Sequence, residues 1–429
     1  MASLLRRLAW TGRAWPGQAW KPLTFSNSEF PKVLSQCNVE EELTPHYKES
    51  DYYPVLIGQV LRDRYQIVGK LGYGRFGTVW LARDLEKRRH VSLKLQLHSK
   101  AMRDYAGHEA AIHRRIFRAE GKHPGRNLVR GLLDSFEVAG PDGSHSCLVY
   151  YPLWEDVQTF LGRNPIMRLP KGAGALILHR LFLSLDFLHA NCQVIHTDIK
   201  ARNIMWATHV DDPVLARFEE EEQRNPSPRK TVKWQGRRTY LSRHLGIPRC
   251  IGQPVLCDFG TALVGDRKHL GTAQPDCYRA PEVIIQAPYS YEIDIWNVGC
   301  MVWDLFQGGT LFSDPGYEAY RSKAHLAEII ALLGPPPRSL IQQGARSHEW
   351  FTDAVTTCKL ALLTGDFRGD ISHLDQSPLE DRVSGLEGED KEKFIAMMRK
   401  MLQWDPSKRA SARELAQDEW ILGHVGEPR

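Results

Sequence analysis

The sequence predicts an α+β chain in two lobes, a smaller one of mostly antiparallel strands and a larger one of mostly helices. Two observations predict this. Between residues 64 and 151, short runs rich in β-branched and aromatic residues alternate with turn residues. After Pro152 the apolar residues recur at helical spacing instead, as in L-I-L-H-R-L-F-L-S-L-D-F-L-H. A third observation, the lack of any internal period, excludes a repeat array.

In chain order, residues 1–28 carry Arg6, Arg7, Arg13 and Lys21 with no acidic residue, and Leu4, Leu5 and Leu8 share a helical face. That composition resembles a mitochondrial presequence; a disordered basic tail is the alternative. Residues 1–50 are expected to form a partly disordered extension, 51–151 the first lobe with its leading segment, and 152–423 the second lobe. The expected strands are 64–71, 78–83, 90–97, 132–137 and 146–151. Residues 105–117, with Ile112 and Ile116 four apart, are the first lobe's one main helix. An insert spans 207–253. It contains E-E-E-E, and its residues 223–249 hold eight Lys/Arg and no Asp/Glu. Pro226 and Pro228 mark it as a surface insertion, either a solvated flexible loop or a phosphate-binding or regulatory segment.

Bulk properties exclude several classes. The 429 residues are 42% hydrophobic and 25% charged, ordinary for a globular chain, and the net charge of +5 does not by itself point to nucleic acid. Eight scattered cysteines form no C-x-x-C pair, which predicts a reducing, intracellular setting (cytoplasm or nucleus) without disulfides. The densest apolar stretch, residues 175–189, is interrupted by His179, Arg180, Ser184 and Asp186 and reads as a core helix, not a membrane span.

The chemistry is concentrated in a few stretches. Residues 194–206 read V-I-H-T-D-I-K-A-R-N-I-M-W, with Lys200 two residues and Asn203 five residues past Asp198. That spacing suits a loop placing a carboxylate near a hydroxyl and a carboxamide oxygen near a metal ion. Alone it could equally be a capped turn. Upstream, Gly72-Tyr73-Gly74-Arg75-Phe76-Gly77-Thr78-Val79 is glycine-rich, and glycines let backbone amides approach phosphate oxygens. A dinucleotide fold would follow such a run with a helix, whereas T-V-W-L is a strand. The run therefore joins two antiparallel strands as a lid. Lys94 lies on the face of a third strand opposite to Leu93 and Leu95, and Glu109 on the next helix is the best placed anion to hold it. Asp258 in C-D-F-G ends the apolar strand P-V-L, where a carboxylate can turn onto Mg²⁺. A-P-E follows at 280–282, Asp294 can cap nearby amides, and Arg409 can pair with Glu282.

Taken in order, these elements resemble a eukaryotic protein kinase over residues 60–422. More narrowly, Y-Y-P-V-L-I-G-Q-V-L-x-x-R-Y, H-T-D-I-K, Y-R-A-P-E and the stretch 311–337 resemble the SR-protein-kinase family of the CMGC group, its fungal members above all. The resemblance implies a bilobal protein kinase fold and transfer of the γ-phosphate of ATP to Ser/Thr. It makes Asp198 the catalytic base and has Lys200 steady the γ-phosphate, with Asn203 and Asp258 on Mg²⁺. Lys94 with Glu109 orients ATP. Leu71 and Val79 sandwich adenine, residues 72–78 cover the phosphates, Tyr150 backs the adenine pocket, and Tyr151 to Leu153 form the hinge. The implied partners are protein substrates, Arg/Ser-rich RNA-processing proteins among them, met by a monomer without direct contact to nucleic acid or membrane.

The chain departs from the family pattern at several points. Thr197 replaces the Arg of H-R-D, so no guanidinium awaits a phosphorylated activation loop, which predicts activity without that modification. Ser92 and Ala201 are mild changes. Pro275 stands where a Thr usually bridges base and Lys200, which leaves an inactive ATP-binding scaffold as the alternative. A small-molecule phosphotransferase is a third reading, opposed by A-P-E and the 311–337 stretch. Residues 366–392, with nine Asp/Glu against three Lys/Arg, suit a docking surface for basic substrates or a solvated loop. Ser227 and Ser242 in the basic insert are candidate autophosphorylation sites.

Overall fold

The computed structural model describes residues 18–25, 30–45, 47–98, 107–209, 212–231, 237–312, 322–352 and 366–426. The first 17 residues, which carry most of the presequence-like pattern, lie outside them, as does most of 311–321. The chain divides into two compact units. One draws on Met1–Asp104, Leu132–Pro152 and Asp211–Arg249, the other on Tyr105–Gly131, Leu153–Val210 and Cys250–Arg429.

The first unit is built on a six-stranded antiparallel sheet: β1 (Val60–Leu61), β2 (Tyr65–Gly74), β3 (Gly77–Asp84), β4 (Arg89–Gln96), β5 (Leu132–Ala139) and β6 (Ser144–Tyr150). Their order is β1-β2-β3-β4-β6-β5. All five expected strands are present; β1 is too short to show in the sequence pattern. In β4, Val91, Leu93 and Leu95 are buried on one face, while on the other Ser92 is buried and Lys94 half-buried. In β2, by contrast, every residue from Tyr65 to Lys70 is buried, so both faces of that strand are covered.

The insert provides the second cover, which corrects the solvated-loop reading. In the helix Val214–Arg224, Val214, Phe218 and Glu222 lie four apart and are all buried. Phe218 lies against Gly69 of β2, where a Cβ would sit 2.9 Å from its ring. Beyond the helix, Arg229–Thr231 pairs antiparallel with Arg238–Tyr240. Three of the basic residues are buried, Arg229 at 1% and Lys230 and Arg237 at 7% exposure, while Arg224 and Arg249 are exposed. Lys230 meets Glu42 at 3.0 Å, Arg237 pairs with Asp142, and Arg229 lies over the rings of Phe30 and Tyr240. The extension is also partly built in: Leu23 exchanges two hydrogen bonds with the Gln66 side chain, at 2.9 and 2.7 Å.

The second unit is mostly helical. Its centre is the helix Glu292–Gln307, buried over most of its length, with Trp296 at 0% exposure. Lys171–Asp186 crosses it closely because Gly174 has no Cβ; one would stand 2.2 Å from the Phe306 ring. Phe306, Phe394 and Trp420 then pack edge to face at 5.2–5.5 Å, tying in the helices Gly388–Met401 and Glu419–His424. By length and composition Lys171–Cys192 could span a bilayer, yet 56% of its apolar window is buried and Ile177, Leu178 and Phe182 are fully so. It is a core helix. The helix expected at 105–117 is described over His108–Arg118 and groups with this unit.

Candidate active site

Three short strands of the second unit set the loop that carries Asp198. Val194–Ile195 leads into it and Ile204–Thr208 leaves it. Ile251–Leu256 runs antiparallel to the latter in the register Leu256↔Ile204. That register brings the next residues of both strands together, and Cys257 N–H donates to the Asn203 carbonyl at 2.8 Å. Asn203 and Asp258, 55 positions apart in sequence, thus lie at one end of one sheet. The Asp198 carboxylate, about one-fifth exposed, accepts from Lys200 Nζ at 2.7 and 3.0 Å and from Asn203 Nδ2 at 2.8 Å. Asn203 Nδ2 also donates to the Asp198 carbonyl at 2.8 Å, so its amide hydrogens are spent and its Oδ1 is the atom left for a cation. No three His, Cys, Asp or Glu side chains converge on a metal site among the described residues. Mg²⁺ fits what is there, since it takes one or two protein oxygens and completes its shell with phosphate and water.

Asp294 holds the loop from beneath, as the capping expectation required. It is fully buried and accepts from the His196 and Thr197 amides at 2.8 Å each and pairs with His189 Nε2 at 2.9 Å. These bonds secure a strained backbone: Thr197, β-branched, sits at φ 69°, which costs on the order of 1–3 kcal/mol. Thr197 Oγ1 then donates to the Thr261 carbonyl at 2.9 Å, joining the loop to the segment after Asp258. Phe259 is fully buried, with the His196 and His113 rings edge-on at 5.0 and 5.1 Å. His113 shares a helix with Glu109, which is 2% exposed.

The segment from Asp258 to Glu282 is tied in by its own side chains. Gln274 Nε2 donates to the Ile293 carbonyl at 2.8 Å and its Oε1 accepts from the Ala280 amide at 2.8 Å. Arg279 binds the Ala273 carbonyl at 3.0 Å and Asp276 at 2.6 Å. Pro275 contributes its carbonyl to Tyr278 N–H at 3.0 Å. Glu282 and Arg409 do pair, bidentate and buried at 2.5 and 2.8 Å, with Arg409 over the Trp296 ring. Gln274 and His189 went unnoticed in the sequence because no motif position marks either; only contacts reveal them.

The first unit carries the glycine-rich element. β2 and β3 stay paired as far as Gly74↔Gly77, so Arg75 and Phe76 alone make the turn. A Cβ at Gly77 (φ 150°) would lie 2.0 Å from the Leu95 carbonyl oxygen, so that position admits only glycine. At Gly72 and Gly74 a Cβ would meet nothing within 4 Å, leaving both open to a ligand. Tyr73 pairs with Thr78, Gly72 with Val79, and Val79 in turn with Lys94; the Lys94 ammonium lies 5.9 Å from the Phe76 ring centroid. Leu71 falls at a β-bulge between Lys70 and Gly72. Tyr150 is buried, and the Tyr151 hydroxyl accepts from Arg89 at 2.8 Å. Leu153 belongs to the second unit, packed with Val255 and Cys257. Lys94 and Glu109 likewise fall in different units.

Two expectations outside this site are revised. Ser227 is 2% exposed, and its amide and hydroxyl both donate to Glu222, at 2.9 and 2.6 Å, so it is a structural residue and not an accessible phosphorylation site. Ser242 is half-buried and bonds Glu40 at 2.7 Å. In the acidic stretch many carboxylates are already engaged: Asp370 and Asp375 cap their own turns, and Glu389 and Asp390 meet Lys393 and Lys171.

Comparison with known proteins gives one consistent result. The protein kinase domain family matches residues 65–242 and 249–421. The chain is 37% identical over 405 residues to a serine/threonine protein kinase of Aspergillus fumigatus, covering 94% of this chain and 95% of that one. It is 30% identical over 405 residues to the serine/threonine-protein kinase SRPK of Physarum polycephalum, covering 87% and 90%. With SRSF protein kinase 3 of Mus musculus it shares 22% over 541 residues, 91% and 92% of the two chains.

Proposed function

The chain belongs to the protein kinase family, on its SR-protein-kinase-like branch, and from that premise we propose that it transfers the γ-phosphate of ATP to serine or threonine of protein substrates. One observation carries the reading: the Asp198 carboxylate is held by Lys200 and Asn203 at the sheet end that also bears Asp258. Asp198 accepts the proton of the substrate hydroxyl as its oxygen attacks the γ-phosphorus, while the bond to the β-phosphate oxygen breaks and ADP leaves. Lys200, already on Asp198, supports the charge on the transferred group. Asn203 Oδ1 and the Asp258 carboxylate would hold Mg²⁺, which neutralises phosphate charge when bound. The backbone amides of residues 72–78 and the Lys94 ammonium bind phosphate oxygens, and Leu71 and Val79 bind adenine.

The direct Asp198–Lys200 pair needs no hydroxyl bridge, so Pro275 does not by itself argue for an inactive scaffold. Arg/Ser-rich segments are the substrate class we favour, on the strength of the relatives named for them and not of the acidic stretch. We further propose that the chain acts as a monomer in a reducing, intracellular setting, which seven unbridged cysteines among the described residues support. The test is transfer from labelled ATP to an Arg/Ser peptide, a generic basic protein and an aminoglycoside. Label on peptide serine is expected; label on the aminoglycoside alone would replace the reading with small-molecule phosphotransfer.

A further inference from the structure

The glycine-rich hairpin has an anchored root and an open tip. At the tip, a Cβ on Gly72 or Gly74 would meet nothing within 4 Å. At the root, Lys70 is fully buried, an unusual place for an ammonium. Its Nζ bonds Glu41 and the Tyr240 carbonyl (2.9 Å), with Glu40 at 3.5 Å. The Arg243 amide donates to the Lys70 carbonyl at 2.9 Å, and Phe218 fills the space over Gly69. The three glutamates of the turn Glu40–Leu43 are all engaged: Glu40 by Ser242 and, at 3.5 Å, Lys70, Glu41 by Lys70 and Glu42 by Lys230. Directly past Lys70 comes the bulge at Leu71, and bulges are where a strand bends.

We propose that Glu41, acting through Lys70, is a positioning residue for the hairpin: the acidic turn and the basic insert clamp the root of β2, so that the hairpin bends at Leu71 and nowhere below it. The proposal rests on reading that hairpin as the lid over the ATP phosphates. Removing Glu41 leaves the buried ammonium with only the longer 3.5 Å carboxylate contact to Glu40, and its escape to water would pull β2 out of line. Removing both charges leaves nothing to escape, so the pair behaves as a unit.

The experiment compares Glu41→Gln with Glu41→Gln/Lys70→Met in the full chain, reading KM for ATP, kcat, KM for peptide and amide exchange over residues 72–79. Glu41→Gln is expected to raise KM for ATP about tenfold and speed exchange, with kcat and peptide KM within about twofold; the double variant should return to within about threefold of the parent. An unchanged KM and exchange in folded Glu41→Gln, a parallel loss in kcat, or a double variant as impaired as the single would each overturn the clamp. If Glu41→Gln does not fold, Lys70→Met serves instead, and normal exchange and KM there reject the proposal. Should the parent chain bind no ATP, the lid reading fails, while amide exchange still decides whether the clamp exists.

Discussion

The Asp198 carboxylate accepts from both Lys200 and Asn203, which fixes the direction of the oxygens assigned to the general base. Replacing it by Asn removes the base and leaves Asn203 and Asp258 in place. Asp198→Asn should lower kcat roughly a hundred- to ten-thousand-fold with ATP affinity little changed, as judged by nucleotide titration beside steady-state kinetics. Burial pushes the Asp304 carboxyl up to about 7, and the Tyr278 hydroxyl donates to it. Its folded pKa lies above the ordinary 3.8, so the folded chain holds the extra proton and stability falls as pH rises from about 4 to about 7. Asp304→Asn, which still accepts from Tyr278, should gain in Tm over the parent across that interval, with the gain absent near pH 4. A constant difference at every pH would refute the assignment.

At the scale of elements, the segment 258–282 shows how a loop can be ordered by its own side chains. Gln274 and Arg279 bridge it to the helix Glu292–Gln307 and to itself, and Thr197 supplies a hydroxyl where a guanidinium is expected. A phosphate has no cation at Thr197 to meet. Phosphatase treatment should therefore leave peptide turnover within about twofold; loss of activity restored by autophosphorylation would show that the segment needs modification. The insert teaches a different lesson. The charges of residues 223–249 read as surface because that stretch holds only Lys and Arg, whereas Glu42, Glu49 and Asp142, the partners of Lys230 and Arg237, lie roughly 90 to 190 positions upstream.

At the scale of the whole molecule, each unit has its own apolar core and a few buried ion pairs that fix how elements meet. Glu282–Arg409 is the most enclosed of these in the second unit. Such a pair adds little over an apolar one, but breaking it strands a buried charge at a cost of about 3–5 kcal/mol. Glu282→Gln should thus lower Tm by roughly 10 °C in calorimetry, and Glu282→Leu/Arg409→Met should recover much of that loss. A single variant as stable as the parent would mean that the site admits water.

The sequence by itself determined the fold class and the strand pattern of the first unit, and it singled out Asp198, Lys200, Asn203, Asp258, Lys94 and the glycine run as candidates. It could do so because periodicity is local and because the motif spacings follow chain order. Tertiary structure alone decided that part of the basic insert packs into the core, that Ser227 is shut away, and that Gln274 and His189 tie the loop segments in place. Their roles depend on partners distant in sequence, and a buried charge looks like a solvated one until the group that neutralises it is seen beside it.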